Sequence, residues 1–468
     1  MHSPLVDDFR RLLRVDPAAA VAHFGGASYT RADLRARADE VLALLADTPR
    51  EARIALSVRD GFAFLACFLA IAECGSAAIL LDAADPRAPR LDLAAQLGAV
   101  TALVDDPELR AIACAGPHEL AAEGLRAIKL TSGSTGEPRA IGVGDRELLA
   151  DAAALEGTMG IGDGDRVLAA VPMSFSYGVG NLLVPALARG RELVLPPPGP
   201  LGLLAALRSA QPTVLPAVPA LLRALLQGRF AAPASLRLVL SAGAVLPPDV
   251  AARFRTRFGL PVHAFYGSTE SGGISYDRVG DAAERGTVGQ PVDGVTLAFG
   301  ADGRVIVQSA AVGTLLDEHA MLPSAVSSVA ANPSGGRFVA PDLGELRNGE
   351  LCLRGRSGTV FDVGGHKVDP AEVEGLIRTL PGVREVAVLP WRDEHGRACC
   401  AAIIAGDVAE RDVQQHCARL LPAAKVPRCC VVLAAADLPR TDRGKLRRDQ
   451  LLALLPGSDQ AAASGLPQ

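Results

Sequence analysis

The sequence predicts an α/β protein with a large amino-terminal body on mainly parallel sheets and a smaller α+β domain at the carboxyl end. The first observation is an alternation of short apolar runs with helix-like stretches, as in ARIALSV at 52–58, FAFLACFLAIAEC at 62–74 and SAAILLD at 76–82. This βαβα order is typical of a parallel sheet flanked by helices. The second observation is a more compact pattern of strands and helices after Arg356. The third is composition, because 49% of the 468 residues are hydrophobic, which is enough for a large core.

The body continues in the same rhythm beyond these elements. Further strand-like runs are TALVDD at 101–106, RVLAAVP at 166–172 and LRLVLSAG at 236–243. The longest uncharged stretch lies between Arg166 and Arg189 and has about the length of a membrane-spanning helix. Prolines, glycines and polar residues interrupt it, so we interpret it as buried core and loop and predict no membrane span.

The second domain follows a stretch at 333–350 that is rich in Gly, Pro and charge, which predicts the approach to a linker. Beyond it, strand-like TVFDVGG and helix-like PAEVEGLIRTL precede strands REVAVLP and ACCAAIIAG, helix ERDVQQHCARLL and strand RCCVVLA. About a hundred residues of this kind make a domain of ordinary size. We therefore predict a body at 1–355, a small domain at 356–456 and a disordered tail at 457–468.

Charge and the first residues narrow the class of protein. The 47 Lys and Arg against 52 Asp and Glu give a formal net charge of −5, so no basic excess indicates nucleic-acid binding. The chain starts Met-His-Ser-Pro and continues to Asp7 and Asp8, without the basic and apolar segments of a signal peptide. These features predict a cytoplasmic protein.

The cysteines indicate reduced thiols. Nine is an odd number in a long chain, which disfavours a disulfide framework. The pairs Cys399–Cys400 and Cys429–Cys430 lie in strand-like runs, where adjacent side chains point to opposite faces. No C-x-x-C spacing is present to bring two thiolates to one metal ion, so we interpret these cysteines as core residues.

A Ser- and Gly-rich run, Leu130 to Arg139, reads LTSGSTGEPR and has the composition of an anion-binding loop. Its glycines free the backbone, its hydroxyls and N–H groups supply donors, and Arg139 adds a positive charge. It does not match the G-x-x-x-x-G-K-S/T pattern of nucleotide-binding P-loops. By itself the run also fits an ordinary surface loop.

Three more motifs follow in order: YGSTE at 266–270, Asp342 after Ala340-Pro341, and PRTDRGK at 439–445. Together with the loop they resemble the adenylate-forming (ANL) superfamily, which comprises acyl- and aryl-CoA synthetases, luciferases and the adenylation domains of peptide synthetases. The resemblance covers essentially the whole chain. It implies the ANL fold, a body of several subdomains and a mobile carboxyl-terminal lid.

The resemblance implies a reaction in which a carboxylate joins the α-phosphate of ATP and pyrophosphate leaves. It assigns the catalytic roles to Lys445, Thr269 and Arg139, and a Mg²⁺ ligand to Glu270. The family's phosphate-binding positions match Thr131, Ser132, Gly133, Ser134, Thr135, Gly136 and Arg139. Its adenine- and ribose-binding positions match Tyr266, Gly267, Asp342 and Arg356. Both reactants are anions, so these positions would act by charge and by alignment.

The second step implied by the resemblance transfers the acyl group to the thiol of CoA or of a carrier protein's phosphopantetheine. The lid would swing and form the thiol channel from Gly364, Gly365, His366 and Lys367. The run Phe24–Ser28 is superficially similar to a pantetheine attachment site but fits the family's first hairpin, so any carrier is a separate protein. The chain departs from the family at Arg139, where Lys is usual, and at Gly358, where the hinge usually has Asp or Lys.

The acid-binding pocket is implied by PMSFSYGVGN at 172–181 and SAGAVLP at 241–247. Both strings resemble those of benzoate and hydroxybenzoate CoA ligases. The resemblance implies the pocket residues Phe175, Tyr177, Gly178, Ala242 and Gly243, with Gly267 added from the YGSTE motif. The two aromatic side chains suit an aryl ring, although aromatic residues in an apolar strand are also common in plain core. The strings favour a small aryl acid over a medium-chain acyl or amino-acid substrate.

We therefore expect an ATP-dependent acid–thiol ligase that needs ATP, Mg²⁺ and either CoA or a carrier-bound phosphopantetheine. Two alternatives stay open. One is an adenylating enzyme whose acyl group goes to an amine. The other is a degenerate member of the family that binds nucleotide without turnover, as the departures at Arg139 and Gly358 would suggest.

Overall fold

The computed structural model describes residues 3–85, 87–116, 118–131, 139–228, 231–316, 336–356, 361–363, 366–394, 397–440 and 446–456. The α-helices in these ranges are α1 (Pro4–Val15), α2 (Arg31–Leu44), α3 (Gly61–Glu73), α4 (Arg87–Gln96), α5 (Asp145–Met159), α6 (Ser176–Gly178), α7 (Val184–Arg189), α8 (Pro200–Ser209), α9 (Pro219–Gln227), α10 (Pro248–Phe258), α11 (Pro370–Ile377), α12 (Glu410–Leu420) and α13 (Arg448–Leu452). A π-helical turn at Val179–Leu183 joins α6 to α7, and 3₁₀ turns occupy Ala423–Lys425 and Ala435–Asp437.

The strands are β1 (Ala20–Phe24), β2 (Ala27–Thr30), β3 (Arg53–Ser57), β4 (Ala77–Leu80), β5 (Thr101–Asp105), β6 (Leu109–Ala113), β7 (Leu125–Leu130), β8 (Ala140–Gly144), β9 (Arg166–Leu168), β10 (Glu192–Val194), β11 (Val214–Ala217), β12 (Leu238–Ser241), β13 (Val262–Ser268), β14 (Gly272–Tyr276), β15 (Gln290–Pro291), β16 (Thr296–Phe299), β17 (Arg304–Ser309), β18 (Thr314–Leu316), β19 (Gly336–Arg347), β20 (Glu350–Arg356), β21 (Phe361–Val363), β22 (His366–Val368), β23 (Val383–Arg392), β24 (Ala398–Gly406) and β25 (Cys429–Leu433).

The predicted parallel sheet is confirmed in a seven-stranded sheet of order β18-β8-β7-β4-β3-β5-β6. Strands β7, β4, β3 and β5 run parallel, and antiparallel β6, β8 and β18 cover the edges. The apolar run at 62–74 forms α3, whose residues 63–72 are all buried. Asp60 starts this helix by accepting hydrogen bonds from the N–H groups of Phe62 and Ala63.

A second sheet has nine strands in the order β15-β14-β13-β12-β11-β9-β10-β1-β2. The strands from β13 to β1 in this order are parallel, while β14, β15 and β2 are antiparallel to their neighbours. The hairpin expected at Phe24–Ser28 is confirmed as β1–β2, and its turn glycines have φ of 59° and 86°. Helices α3, α5 and α7 share one buried core with inward residues of both sheets.

The stretch 166–189 is buried, as the sequence predicts, but it is mostly helical. After β9 the chain turns and then runs through α6, the π-helical turn and α7, all packed in the core between the two sheets. Within the ranges given above, no helix combines the length and the apolar character that crossing a membrane requires.

The linker approach predicted at 333–350 is wrong for its described part. Residues 336–347 form β19 and residues 350–356 form β20, which are neighbours in a four-stranded sheet with β16 and β17. Asn348 and Gly349 join them with φ of 52° and 81°. An Asn-Gly turn of this kind favours a hairpin, and that local signal outweighs the Gly- and Pro-rich composition.

Residue contacts divide the chain into two compact units. The first comprises 1–298, 306–338 and 346–352, and the second comprises 299–305, 339–345 and 353–468. The second unit contains the sheet β23-β24-β25, with residues of α11 and α12 in the core on one face and of α13 on the other. The alternation predicted for the cysteine pairs is confirmed for Cys429–Cys430, since Cys430 lies in the first of these cores and Cys429 packs against the second.

Candidate active site

The predicted phosphate loop leaves the sheet at the end of β7 and returns at the start of β8. The Thr131 N–H donates to the Arg139 carbonyl over 2.9 Å, and the Arg139 N–H donates to Thr131 Oγ1 over 3.2 Å. These two bonds close the neck of the loop. The remaining predicted phosphate-binding residues lie outside the described residues: Ser132, Gly133, Ser134, Thr135 and Gly136.

The YGSTE motif forms the turn between β13 and β14. Ser268 Oγ accepts a hydrogen bond from the Ser271 N–H over 3.2 Å, which stabilises this turn. Thr269 and Glu270 therefore lie at its tip, at the carboxyl end of β13. Ligands of open α/β sheets commonly bind at this edge of the strands. Gly267, near the end of β13, must be glycine, because an added Cβ would lie 2.7 Å from the Gly272 carbonyl oxygen on β14.

Arg139 and Glu270 are brought together by these two turns. Their closest side-chain atoms, Arg139 Nη2 and Glu270 Oε1, are 3.7 Å apart, with the arginine about half exposed and the glutamate 15% exposed. The separation is longer than a charge-assisted hydrogen bond. Both groups therefore keep hydrogen-bonding and ligand-binding capacity. The Glu270 main chain is fixed, since its carbonyl accepts a hydrogen bond from the Gly313 N–H over 2.8 Å.

The acid-pocket string at 172–181 is not a strand, contrary to the expectation for its aromatic residues. Phe175 precedes α6, and Tyr177 lies within it. The helix starts in close contact with the preceding chain, since a Cβ on Gly178 would lie 2.7 Å from the Pro172 carbonyl carbon. Glycine at 178 permits this approach. The Tyr177 ring packs against Phe265 with ring centroids 5.6 Å apart, and burial raises the pKa of the Tyr177 phenol.

The second pocket string begins at the end of β12, also at a carboxyl strand end. Ala242 is buried, and Gly243 has φ of 80°, a conformation that favours glycine. Ser241 just before them is 1% exposed, and its hydroxyl has no hydrogen-bond partner among the described residues. A buried hydroxyl without a partner costs about 1–3 kcal/mol. A polar ligand atom that reached this hydroxyl would remove that cost.

Several predicted site residues belong to the second unit or lie outside the described residues. Asp342 lies in β19 and Arg356 ends β20. His366 and Lys367 are in β22, which pairs with β21 in a short hairpin. Outside the described residues lie Lys445, Gly358, Gly364, Gly365 and the tail at 457–468.

Two charged residues near the site are not predicted from the sequence. Lys129 in β7 is 4% exposed, and Asp151 in α5 is 9% exposed. Burial lowers the pKa of Lys129 and raises the pKa of Asp151, and the two opposite charges partly offset these shifts. The only available signal was a lysine inside the apolar run LRAIKL.

The donors present suit Mg²⁺ and a polyphosphate. The Glu270 carboxylate is a hard oxygen ligand of the kind that Mg²⁺ prefers, and it lies beside a guanidinium that can neutralise phosphate oxygens. Glu270 would hold the ion, and Arg139 with the loop N–H groups would hold the phosphates.

Two family models match the chain. One, described as AMP-binding enzyme, matches residues 106–316, and the other, AMP-binding enzyme C-terminal domain, matches 372–445. A 4-hydroxybenzoate–CoA/benzoate–CoA ligase of Rhodopseudomonas palustris is 30% identical over 374 residues, which are 74% of this chain and 68% of the relative. The chain belongs to the AMP-binding enzyme family. The resemblance to the adenylate-forming superfamily is thereby confirmed.

Other members of the AMP-binding enzyme family extend this comparison. A benzoate–CoA ligase of Thauera aromatica is 33% identical over 350 residues, which span 69% of this chain and 64% of that ligase. The o-succinylbenzoate CoA synthetase of Bacillus subtilis, solved with its acyl-adenylate intermediate, matches with a TM-score of 0.80. This match covers 95% of this chain and 97% of the other at 22% identity, so it shows the fold alone. The predicted ANL fold is confirmed.

Proposed function

We propose that this protein activates a small aryl acid with ATP and transfers the acyl group to a pantetheine thiol. The observation that carries the proposal is the Arg139–Glu270 arrangement at the carboxyl edge of the parallel strands, together with the contact between the partly buried Tyr177 ring and the buried Phe265 ring. A cation and a hard carboxylate suit Mg·ATP, and aromatic rings suit an aryl group.

In the first step, a carboxylate oxygen of the acid attacks the α-phosphorus of ATP and the bond to pyrophosphate breaks. Arg139 neutralises phosphate charge, while the Thr131–Arg139 bonds keep the loop neck closed. Mg²⁺ held at Glu270 would screen the phosphate charges during this step. Following the family's motif, we propose that Lys445 neutralises the negative charge of the carboxylate and the α-phosphate. Thr269 would donate a hydrogen bond near the α-phosphate.

The same motifs suggest where the nucleoside binds: the adenine would stack on Tyr266, and the ribose hydroxyls would donate hydrogen bonds to Asp342. In the second step a thiol attacks the acyl carbon and AMP leaves. We propose CoA as the acceptor, with a separate carrier protein as the alternative, and assign the thiol channel to the segment 364–367. Reduced thiols, as found for all nine cysteines, are typical of the cytoplasm, where we place the reaction.

The pocket favours an aryl acid with a polar substituent. Tyr177 and Phe265 offer apolar faces, whereas the buried Ser241 hydroxyl is without a partner among the described residues. A hydroxyl on the ring of the substrate would satisfy it. An amino-acid substrate is the second candidate, but it needs a carboxylate for its ammonium group, and neither Phe175 nor Ser176 supplies one.

The test is acid-dependent exchange of labelled pyrophosphate into ATP over a panel of benzoate, hydroxybenzoates, medium-chain acids and amino acids. We expect exchange with aryl acids and a preference for a hydroxybenzoate over benzoate. Ser241→Ala should reduce that preference by about tenfold, the size of one hydrogen bond, and leave benzoate exchange nearly unchanged. Exchange with amino acids alone would favour the second candidate, and no exchange with any acid would favour a non-catalytic member of the family.

A further inference from the structure

Lys129 places a positive charge inside the first unit, directly before the phosphate loop. Its side chain is 4% exposed, and its ammonium has one hydrogen bond among the described residues, to Ser176 Oγ at 3.4 Å. The charges of Asp151, Glu270 and Glu147 act on it, in decreasing order of strength. The ammonium therefore contacts Ser176, the first residue of α6, and interacts electrostatically with Glu270, the predicted metal ligand.

Asp151 is the counter-charge and makes contacts of its own. Its Oδ1 accepts the Gly273 N–H over 2.9 Å, just beyond the turn that contains Glu270. Gly272 has φ of 67°, and a Cβ there would lie 2.6 Å from the Asp151 Cγ. A Cβ on Gly180, in the π-helical turn, would lie 2.6 Å from Oδ2. The carboxylate is therefore enclosed by the turn on one side and the pocket helix on the other.

This pair joins three parts of the predicted site. Lys129 belongs to the strand that ends in the phosphate loop, Ser176 and Gly180 belong to the helical stretch of the acid pocket, and Gly273 follows the Glu270 turn. Burying two opposite charges costs the desolvation of both, so packed apolar residues would stabilise the fold as well or better. Stability alone therefore gives no reason for a lysine and an aspartate at these positions.

We propose that Lys129 and Asp151 are positioning residues for the adenylation step. The proposal rests on the proposed function. The pair keeps Glu270 and the acid-pocket helix aligned with the neck of the phosphate loop at Thr131, and the ammonium counters the charge of Glu270. Neither residue touches the reacting atoms.

The chain offers a matched control on the same two elements. Arg126 of β7 is 2% exposed and forms a two-bond ion pair with Asp145 of α5, at 3.1 and 3.2 Å. Its other hydrogen bonds within the described residues go to the carbonyls of Ala72 and Ser76, so none of them reaches the Glu270 turn or the pocket helix. Arg126→Met thus removes a buried cation from the same strand without reaching the site.

The experiment compares Lys129→Met with Arg126→Met in the full chain, under conditions where both are folded by circular dichroism. We expect Lys129→Met to lower the kcat of pyrophosphate exchange about 100-fold, as a displacement of about 1 Å does. The KM for the acid should change less than about threefold, and the Mg²⁺ concentration for half-maximal exchange should rise about tenfold. Arg126→Met should change none of these three values. Equal kinetics in the two variants would overturn the proposal.

If Lys129→Met does not fold, the double variant Lys129→Met with Asp151→Asn replaces it, because it leaves no unpaired buried charge. The same kcat loss is expected, and wild-type kcat in the double variant would overturn the proposal. If the wild type shows no exchange with any acid, the proposed function fails. The positioning role is then tested separately, by measuring Mg²⁺-dependent ATP binding with calorimetry. Binding about tenfold weaker in Lys129→Met than in Arg126→Met supports the positioning role, and equal binding overturns it.

Discussion

Gly178→Ala tests how closely the acid pocket depends on one backbone approach. Gly178 has ordinary helical backbone angles, φ of −72° and ψ of −32°, so alanine meets no conformational penalty there. The obstacle is space. The new Cβ would lie 2.7 Å from the Pro172 carbonyl carbon and 2.8 Å from the Met173 Cα. Both neighbours are main-chain atoms, so no side chain can turn aside to relieve the contact.

The size of the effect follows from these distances. Non-bonded carbons pack at about 3.5–4.0 Å, so α6 and the 172–173 segment must separate by about 1 Å. Overpacking of this kind costs about 1–3 kcal/mol of unfolding free energy. The same movement displaces Tyr177, next to Gly178, from its contact with Phe265. A misplacement of about 1 Å at a site lowers catalysis about 100-fold.

The assay is kcat/KM for pyrophosphate exchange with the preferred acid, together with urea unfolding of the same preparations. Gly157→Ala is the control, because Gly157 is an exposed residue in α5 with nothing within 4 Å of an added Cβ. We expect it to stabilise by about 0.5–1 kcal/mol and to leave exchange unchanged. If Gly178→Ala keeps wild-type kcat/KM while Gly157→Ala behaves as expected, the pocket does not depend on this helix as we argue.

Three further predictions concern stability and reactivity. Arg126→Met leaves the buried Asp145 carboxylate without its partner and should lower the unfolding free energy by about 3–5 kcal/mol, measured by urea denaturation; a loss below about 1 kcal/mol would contradict the buried pair. Burial raises the pKa of Cys67 and of Cys400 to about 12, so a thiol reagent at pH 8 should label neither cysteine until the protein is denatured. Peptide mass spectrometry measures this labelling. Rapid labelling of the native protein would contradict the burial of these two thiols. Burial opposes ionisation of Asp165, yet hydrogen bonds, chiefly from Arg237, lower the pKa of its carboxyl below the ordinary 3.8. Its stabilising contribution is therefore present above pH 3.8 and lost as pH falls through the lower folded value, so Asp165→Asn should lower the thermal midpoint at pH 7 but much less near pH 2. A difference that does not depend on pH would contradict this assignment.

The sequence predicts the parts of the fold that local pattern controls. The apolar runs at 52–58 and 76–82 form β3 and β4, and the helix-like run between them forms α3. These runs have the hydrophobic continuity of buried parallel strands and of a buried helix. The strand predicted for the aromatic residues of 172–181 fails because the decisive interaction, Gly178 against Pro172, is a tertiary contact with no local signature.

The sequence likewise predicts only those site residues that belong to a local motif, and not those brought together by tertiary contacts. The motif residues Arg139 and Glu270 are visible as strings, and the structure brings their side chains to 3.7 Å. The Lys129–Asp151 pair joins a strand to a helix 22 positions later, and no periodicity within one sequence reveals that pairing. At 333–350 the local signal is the stronger one, since the Asn348-Gly349 turn joins two strands where the Gly- and Pro-rich composition predicts a linker.

The most direct test of acid activation by adenylation follows the oxygen atoms. The enzyme is given ATP, Mg²⁺, CoA and the preferred aryl acid labelled with ¹⁸O in its carboxylate, and the products are analysed by mass spectrometry. If the carboxylate attacks the α-phosphorus and the thiol then attacks the acyl carbon, one ¹⁸O atom must appear in AMP and none in pyrophosphate. Unlabelled AMP, or ¹⁸O in an inorganic phosphate released together with ADP, would contradict the account.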